Sequence, residues 1–215
     1  MRDLRVRTVV ASLVSTLAVC VVAGCASAPS SRSTSAAGVL ALGDNSSISV
    51  PGLSTAETDM LERMSDANIL SRLCSSDSLE IEMAKTARDR STSVGVRDYA
   101  RQLIGDHSVS WRHDRMIAMR PGLSIQMMPG DTSSLMGFRL LDSLRTMVPA
   151  NEFDRRFLMS QIDMHGHLLA QLQTLRRVAH DKALRDHIDA LLPIVQQHLA
   201  RAQGLARDAG YAAGV

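Results

Sequence analysis

From Ile69 to Leu205, apolar residues recur at spacings of three and four in four separate stretches, the rhythm of helices that bury one face. The first stretch runs Ile69, Leu73, Ser76, Glu80, Met83/Ala84 and Ala87, and the second Val96, Tyr99/Ala100, Leu103, His107 and Trp111 toward Met119. The third runs Phe153, Phe157/Leu158, Gln161/Ile162, His165, Leu168/Leu169, Leu172 and Leu175. The fourth runs Leu184, Ile188, Leu191/Leu192, Val195, His198/Leu199, Ala202 and Leu205. Ser65, Ser93, Asn151 and Asp181 stand where the four N-caps belong. Arg120-Pro121-Gly122 ends the second stretch, because a residue before proline avoids the α region. Pro193 lies inside the fourth and predicts a kink near His198.

Hydrophobic residues make up 45% of the chain and aromatics only 3%, so the helices pack through Leu, Ala, Met, Ile and Val. Short turns near 92 and 181 join the outer pairs. Residues 120–150 form a long middle connection, with a short helix predicted over about 134–145 and Leu141 and Leu144 facing inward. Two tight turns and one long connection predict an all-α, ferritin-like four-helix bundle over 65–209, with one long crossover between the second and third helices.

The N-terminus reads as an address. Arg2, Arg5 and Arg7 precede an apolar run from Val9 to Ala23, shorter than the roughly 20 residues of a membrane span. Val22-Ala23-Gly24-Cys25 resembles the bacterial lipobox. The resemblance implies a signal peptide over 1–24, a diacylglyceryl group on the Cys25 sulfur, cleavage before Cys25 and acylation of the new amino group. Several acyl chains give stable anchoring. Residue 26 is Ala rather than Asp, which in a Gram-negative cell implies the periplasmic face of the outer membrane. Residues 25–64 read as the lipidated Cys and a Ser/Ala/Gly-rich tether, ending in a turn or two of helix around Met60 and Met64, with Ser54 and Glu57 spaced as a capping box. Loss of 1–24 removes three Arg and one Asp and takes the formal charge from +2 to zero, and no basic patch argues for nucleic acid. Cys74 then remains without an intramolecular partner, as a packed thiol.

Glu80, His107, His165 and His198 are polar residues on apolar stripes. With a rise of about 1.5 Å per residue, Glu80 and His107 stand about 18 and 22 Å from the first short turn, and His165 and His198 about 25 Å from the second. A single crossover puts those turns at opposite ends of a bundle roughly 40 Å long, so all four groups fall within about 7 Å along its axis. Imidazole and carboxylate suit zinc, copper, iron or nickel. The residues three before the histidines are Ile104, Ile162 and Val195, so the Glu-x-x-His signature of di-iron bundles is missing. The four groups therefore fit either a mononuclear site for one transition metal ion or a buried polar network that fixes helix register. Asp163 with His167, and Asp106, His113 and Asp114, read as surface groups, with Asp106 placed to stand behind His107. The scattered methionines read as core filling. No catalytic triad, phosphate loop or paired-carboxylate motif stands out.

Asp66-Ala67-Asn68-Ile69, the run Glu80 to Ala87, Val96 with Tyr99-Ala100 and Asp106-His107, Phe153-Asp154 with Phe157-Leu158, Gln161-Ile162 and His165, and Leu192-Pro193 with His198-Leu199 and Ala202 occur in order. Together they resemble the bacterial exported, ferritin-like family known as domain of unknown function 4142, over about residues 64–206. Phe157 replaces a frequent tyrosine. The resemblance implies a helical fold and an envelope location, and no established activity. Two functions are expected from these features. One is a membrane-tethered structural or interaction protein, held by acyl chains on Cys25, in envelope maintenance or stress. The other is a metal-binding or redox protein using Glu80, His107, His165 and His198.

Overall fold

The computed structural model describes residues 52–146 and 148–211. The expected signal segment, Cys25 and the tether as far as Pro51 lie outside them. Among the described residues the fold is an all-α helical bundle without strands: α1 (Thr55–Glu62), α2 (Asp66–Arg90), α3 (Val94–Ala118), α4 (Ser133–Thr146), α5 (Ala150–Val178) and α6 (Lys182–Asp208). No helix among them is long and apolar enough to cross a membrane.

Local chemistry sets the helix starts. Ser65 and Asn68 form a reciprocal capping box at α2, Ser93 accepts from Val96 N at α3, and Asp181 accepts from Ala183 N and Leu184 N at α6. At α5 the expected Asn151 cap does not form. Pro149 takes the N-cap position with φ −59° and ψ 150°, and the helix is already under way at Ala150. Proline presets φ and so fixes where the helix begins. The Ser54–Glu57 box is only half made. Ser54 Oγ accepts from Glu57 N, while the Glu57 side chain turns to His167 and Gln171.

The α2–α3 and α5–α6 pairs pack as hairpins, and α3 meets α6 while α2 meets α5. Helix α4 lies against α2. The Arg90 guanidinium, at the end of α2, donates to the carbonyls of Leu144, Arg145 and Val148, satisfying acceptors that the end of α4 leaves free. Helix α1 packs on α5 and buries Leu61 completely, and Met64 in the following turn is buried as well. Helix α1 thus packs onto the bundle ahead of residue 65. Burying Leu61 alone contributes about 1.5–3 kcal/mol toward holding this short polar helix in place.

The core has two apolar clusters. One gathers Leu79, Met83, Tyr99, Leu103, Phe153, Phe157 and Ile162. The other gathers Leu61, Ile69, Leu70, Leu73, Leu172, Leu184 and Ile188. Along every long helix the switch from one cluster to the other passes through buried polar residues: Asp77 and Glu80 on α2, His107 on α3, His165 on α5 and His198 on α6.

Candidate metal centre

His107, His165 and His198 come from three helices and are 5%, 1% and 0% exposed. Their ring centroids are 5.9, 5.3 and 5.2 Å apart, and one ring nitrogen from each lies within 4.8 Å of the other two. Each ring is held from behind by an acceptor. His107 Nδ1 is 2.8 Å from Asp77 Oδ1, His165 Nδ1 is 2.9 Å from the Gln161 carbonyl, and His198 Nε2 is 2.8 Å from Asp106 Oδ2. A carboxylate or carbonyl accepts a hydrogen bond from the N–H it faces, which fixes the tautomer of a neutral ring and leaves its other nitrogen with a bare lone pair. Those other nitrogens are His107 Nε2, His165 Nε2 and His198 Nδ1, and all three are buried without a hydrogen-bond partner among the described residues.

Glu80 stands beside this set and outside it. It is 2% exposed, and its Oε2 accepts from Gln161 Nε2 at 3.0 Å. Gln161 thus does two tasks, orienting His165 with its carbonyl and Glu80 with its amide. Of the four groups expected to converge, the structure brings the three histidines within coordinating range of one another and ties the carboxylate to an amide instead.

Burial governs the protonation of the site. It drives the His165 imidazole down to about 3, with the His107 charge adding and the Gln161 carbonyl opposing. It drives His198 down to about 4 against the pull of Asp106. Burial also disfavours the His107 cation, yet Asp77, Glu80 and Asp106 outweigh it and raise His107 overall. Glu80 is raised by burial, with His107, Gln161 and His198 opposing. At neutral pH two of the three rings are neutral and available as donors.

A di-iron cluster does not fit these residues. Such a cluster takes glutamates from all four helices, whereas this set offers Glu80 alone, and Ile104, Ile162 and Val195 stand where a Glu-x-x-His motif would place the others. A single ion does fit. Three buried imidazoles approach one another, two of them neutral and each braced by an acceptor, between two apolar clusters, and an ion would displace any proton on His107. A tetrahedral ion with bonds of about 2.0–2.1 Å sets its ligand atoms about 3.4 Å apart, so the rings would draw together slightly around it.

Two cavities touch this layer. One, of about 20 Å³, is bounded by His107, His198, Asp77 and Ser110 together with leucines of α2, α5 and α6. The other, of about 580 Å³, opens between α1, α2, α4 and α5, and reaches Glu80 past Leu79, Met164 and Leu168.

Several expectations for neighbouring residues are corrected. Asp114 is not a surface group: it is fully buried, with His187 Nε2 2.9 Å from its Oδ1. His187, which carries no stripe signal beside Ile188, is itself buried, and the ring of the exposed His113 meets it edge-on at 4.4 Å. His167 pairs with Glu57 Oε1 at 2.7 Å, not with Asp163. Asp106 braces His198 rather than the adjacent His107. Asp77, which braces His107, gives no sign in the sequence, because an acid on a helix flank reads as solvated. Cys74 is a free, buried thiol, which burial and the nearby Asp114 and Asp77 push up to about 12, far from a reactive thiolate.

Comparison with known proteins gives a family match: the family model described as Domain of unknown function (DUF4142) matches residues 50–205. No curated protein and no solved structure matches the chain.

Proposed function

This chain belongs to the DUF4142 family, and from that premise we propose that it is a metal-binding protein of the cell envelope, with one ion held by His107, His165 and His198. The observation that carries the reading is the set of three buried imidazole nitrogens, each unpartnered, each on a ring whose other nitrogen is engaged. Buried polar atoms are seldom left unpaired, and a bound ion is one of the few reasons for it. The bracing acceptors match the way proteins orient histidine ligands. The four long helices, with α4 inside the connection from α3 to α5, are read as a ferritin-like four-helix bundle whose crossover sets the histidines at one level.

Elemental analysis of the purified full chain tests the reading. The wild type should carry about one equivalent of a transition metal, and the variant His107→Ala/His198→Ala should carry only background. Equal traces in both would sink it. The alternative is a structural or interaction protein whose buried polar layer only fixes helix register, favoured by the bonds of Asp77, Asp106 and Gln161 to the rings. It predicts no metal and no change in stability on adding any.

The envelope address rests on the lipobox and on Cys25. In this reading the acyl chains on Cys25 hold the domain at the periplasmic face of the outer membrane. Cys25→Ala should move the protein from the membrane to the soluble fraction, and a wild type that fractionates as soluble would count against the anchor.

A further inference from the structure

Three imidazoles fill three positions of a tetrahedral ion, and the fourth has two contenders, the Glu80 carboxylate and a molecule from outside the chain. Glu80 is engaged elsewhere. Its Oε2 is bonded to Gln161 Nε2, and it lies outside the set of nitrogens that approach one another within 4.8 Å. The small cavity offers the other answer. Its volume of about 20 Å³ is bounded by two of the three rings, His107 and His198. A site of that size holds one water when it also presents polar partners. Asp77 and Ser110 form part of the same wall, and Asp77 Oδ2 and Ser110 Oγ are buried with no hydrogen-bond partner among the described residues. The rest of the wall is apolar, including Leu73, Leu168 and Val195. Asp77 and Ser110, each with an unpaired polar atom, and His107 and His198, each with an unpaired ring nitrogen, all bound this water-sized space, whose surface is otherwise almost wholly apolar, and together they suit it to one small protic molecule.

We infer that an ion held by His107, His165 and His198 keeps its fourth position open toward this cavity. It takes there one small ligand, water in the resting state, hydrogen-bonded to Asp77 and Ser110. This rests on the trihistidine reading and adds to it, since a closed site of four protein ligands serves structure while an open one admits a substrate. The size of the seat sets the substrate class: molecules of about one or two heavy atoms that can replace a water.

Pulsed EPR of the Cu(II)-loaded full chain in D2O tests the inference. With one equivalent of copper bound, the wild type should show exchangeable deuterons in the inner coordination sphere. Glu80→Gln should keep both the copper and the deuterons. Ser110→Leu fills the seat and should keep the copper while losing the deuterons, and Ser110→Val stands in should the larger side chain prevent folding. One equivalent of copper with no inner-sphere deuterons in the wild type would overturn the open position and leave the trihistidine reading standing. So would loss of copper in Glu80→Gln, which would make the carboxylate the fourth ligand. Failure of the wild type to bind copper above the level of His107→Ala/His198→Ala would instead remove the trihistidine reading itself.

Discussion

Asp77 illustrates how one side chain can set the behaviour of another. Its Oδ1 lies 2.8 Å from His107 Nδ1 in a buried setting, so it fixes the tautomer and increases the donor strength of the far nitrogen. Replacing Asp77 with Asn keeps the shape and removes the charge. Metal affinity, read by competition with a chromophoric chelator, should fall about 10-fold or more while helicity stays unchanged. Asp114 offers a prediction about pH. Burial pushes its carboxyl from 3.8 up to about 6, with Asp77 adding to the shift and His187 and Cys74 opposing it. The folded state therefore holds this proton more tightly than the unfolded chain. The stability it contributes is complete below about pH 4 and is lost as pH rises through about 6, on the order of 3 kcal/mol over the window. His165 and His198, lowered to about 3 and 4, act in the opposite sense and withdraw stability as pH falls below about 6.5. The difference between wild type and Asp114→Asn isolates the aspartate. Urea midpoints should show the variant gaining on the wild type from pH 4 to 7, and parallel curves would refute the assignment. The histidines were legible in the sequence because they interrupt apolar stripes at levels that simple rise arithmetic can compare. Asp77 and Asp114 were not, and Asp106 pointed to the wrong histidine, because an acid on a helix takes its meaning from the helix packed opposite, and local spacing does not report that.

The elements differ in how much of their position is local. The starts of α2, α3 and α6 follow from a Ser or Asp with the right backbone donors ahead of it, and these were readable. Asp181→Ala should cost about 1 kcal/mol in thermal or urea unfolding, the usual loss for such a cap. Helix α1 was harder to place. Its own sequence is short and polar, and its reason for being helical is Leu61, which docks among residues of α2, α5 and α6. Helix α4 depends on α2 for its seat. A Cβ at Gly137 would press into Leu79 Cδ2, and Leu79 belongs to the core. Gly137→Ala should therefore destabilise by about 1–3 kcal/mol, the cost of overpacking. Much of that loss should return in the double variant with Leu79→Ala, measured against Leu79→Ala alone. No feature of the sequence near Gly137 announced this contact, since the partner is more than fifty residues away.

At the scale of the whole molecule, the ion in the proposed function is a ligand of the folded state alone. Free metal at 100 times its dissociation constant should add about 2.7 kcal/mol of stability, which for a domain of this size is a rise in Tm of about 5–10 °C. A chelator should reverse the rise, and His198→Ala should abolish it. The placement of the polar layer has a further consequence. His107 belongs to one hairpin, His165 and His198 to the other, and packed hydrocarbon lies on both sides of the level where they meet. An ion seated there would act as a clasp across the seam between the hairpins. Its departure would be timed by how often one hairpin lifts away from the other, so its residence time would follow the rhythm of the helices more than the strength of its bonds.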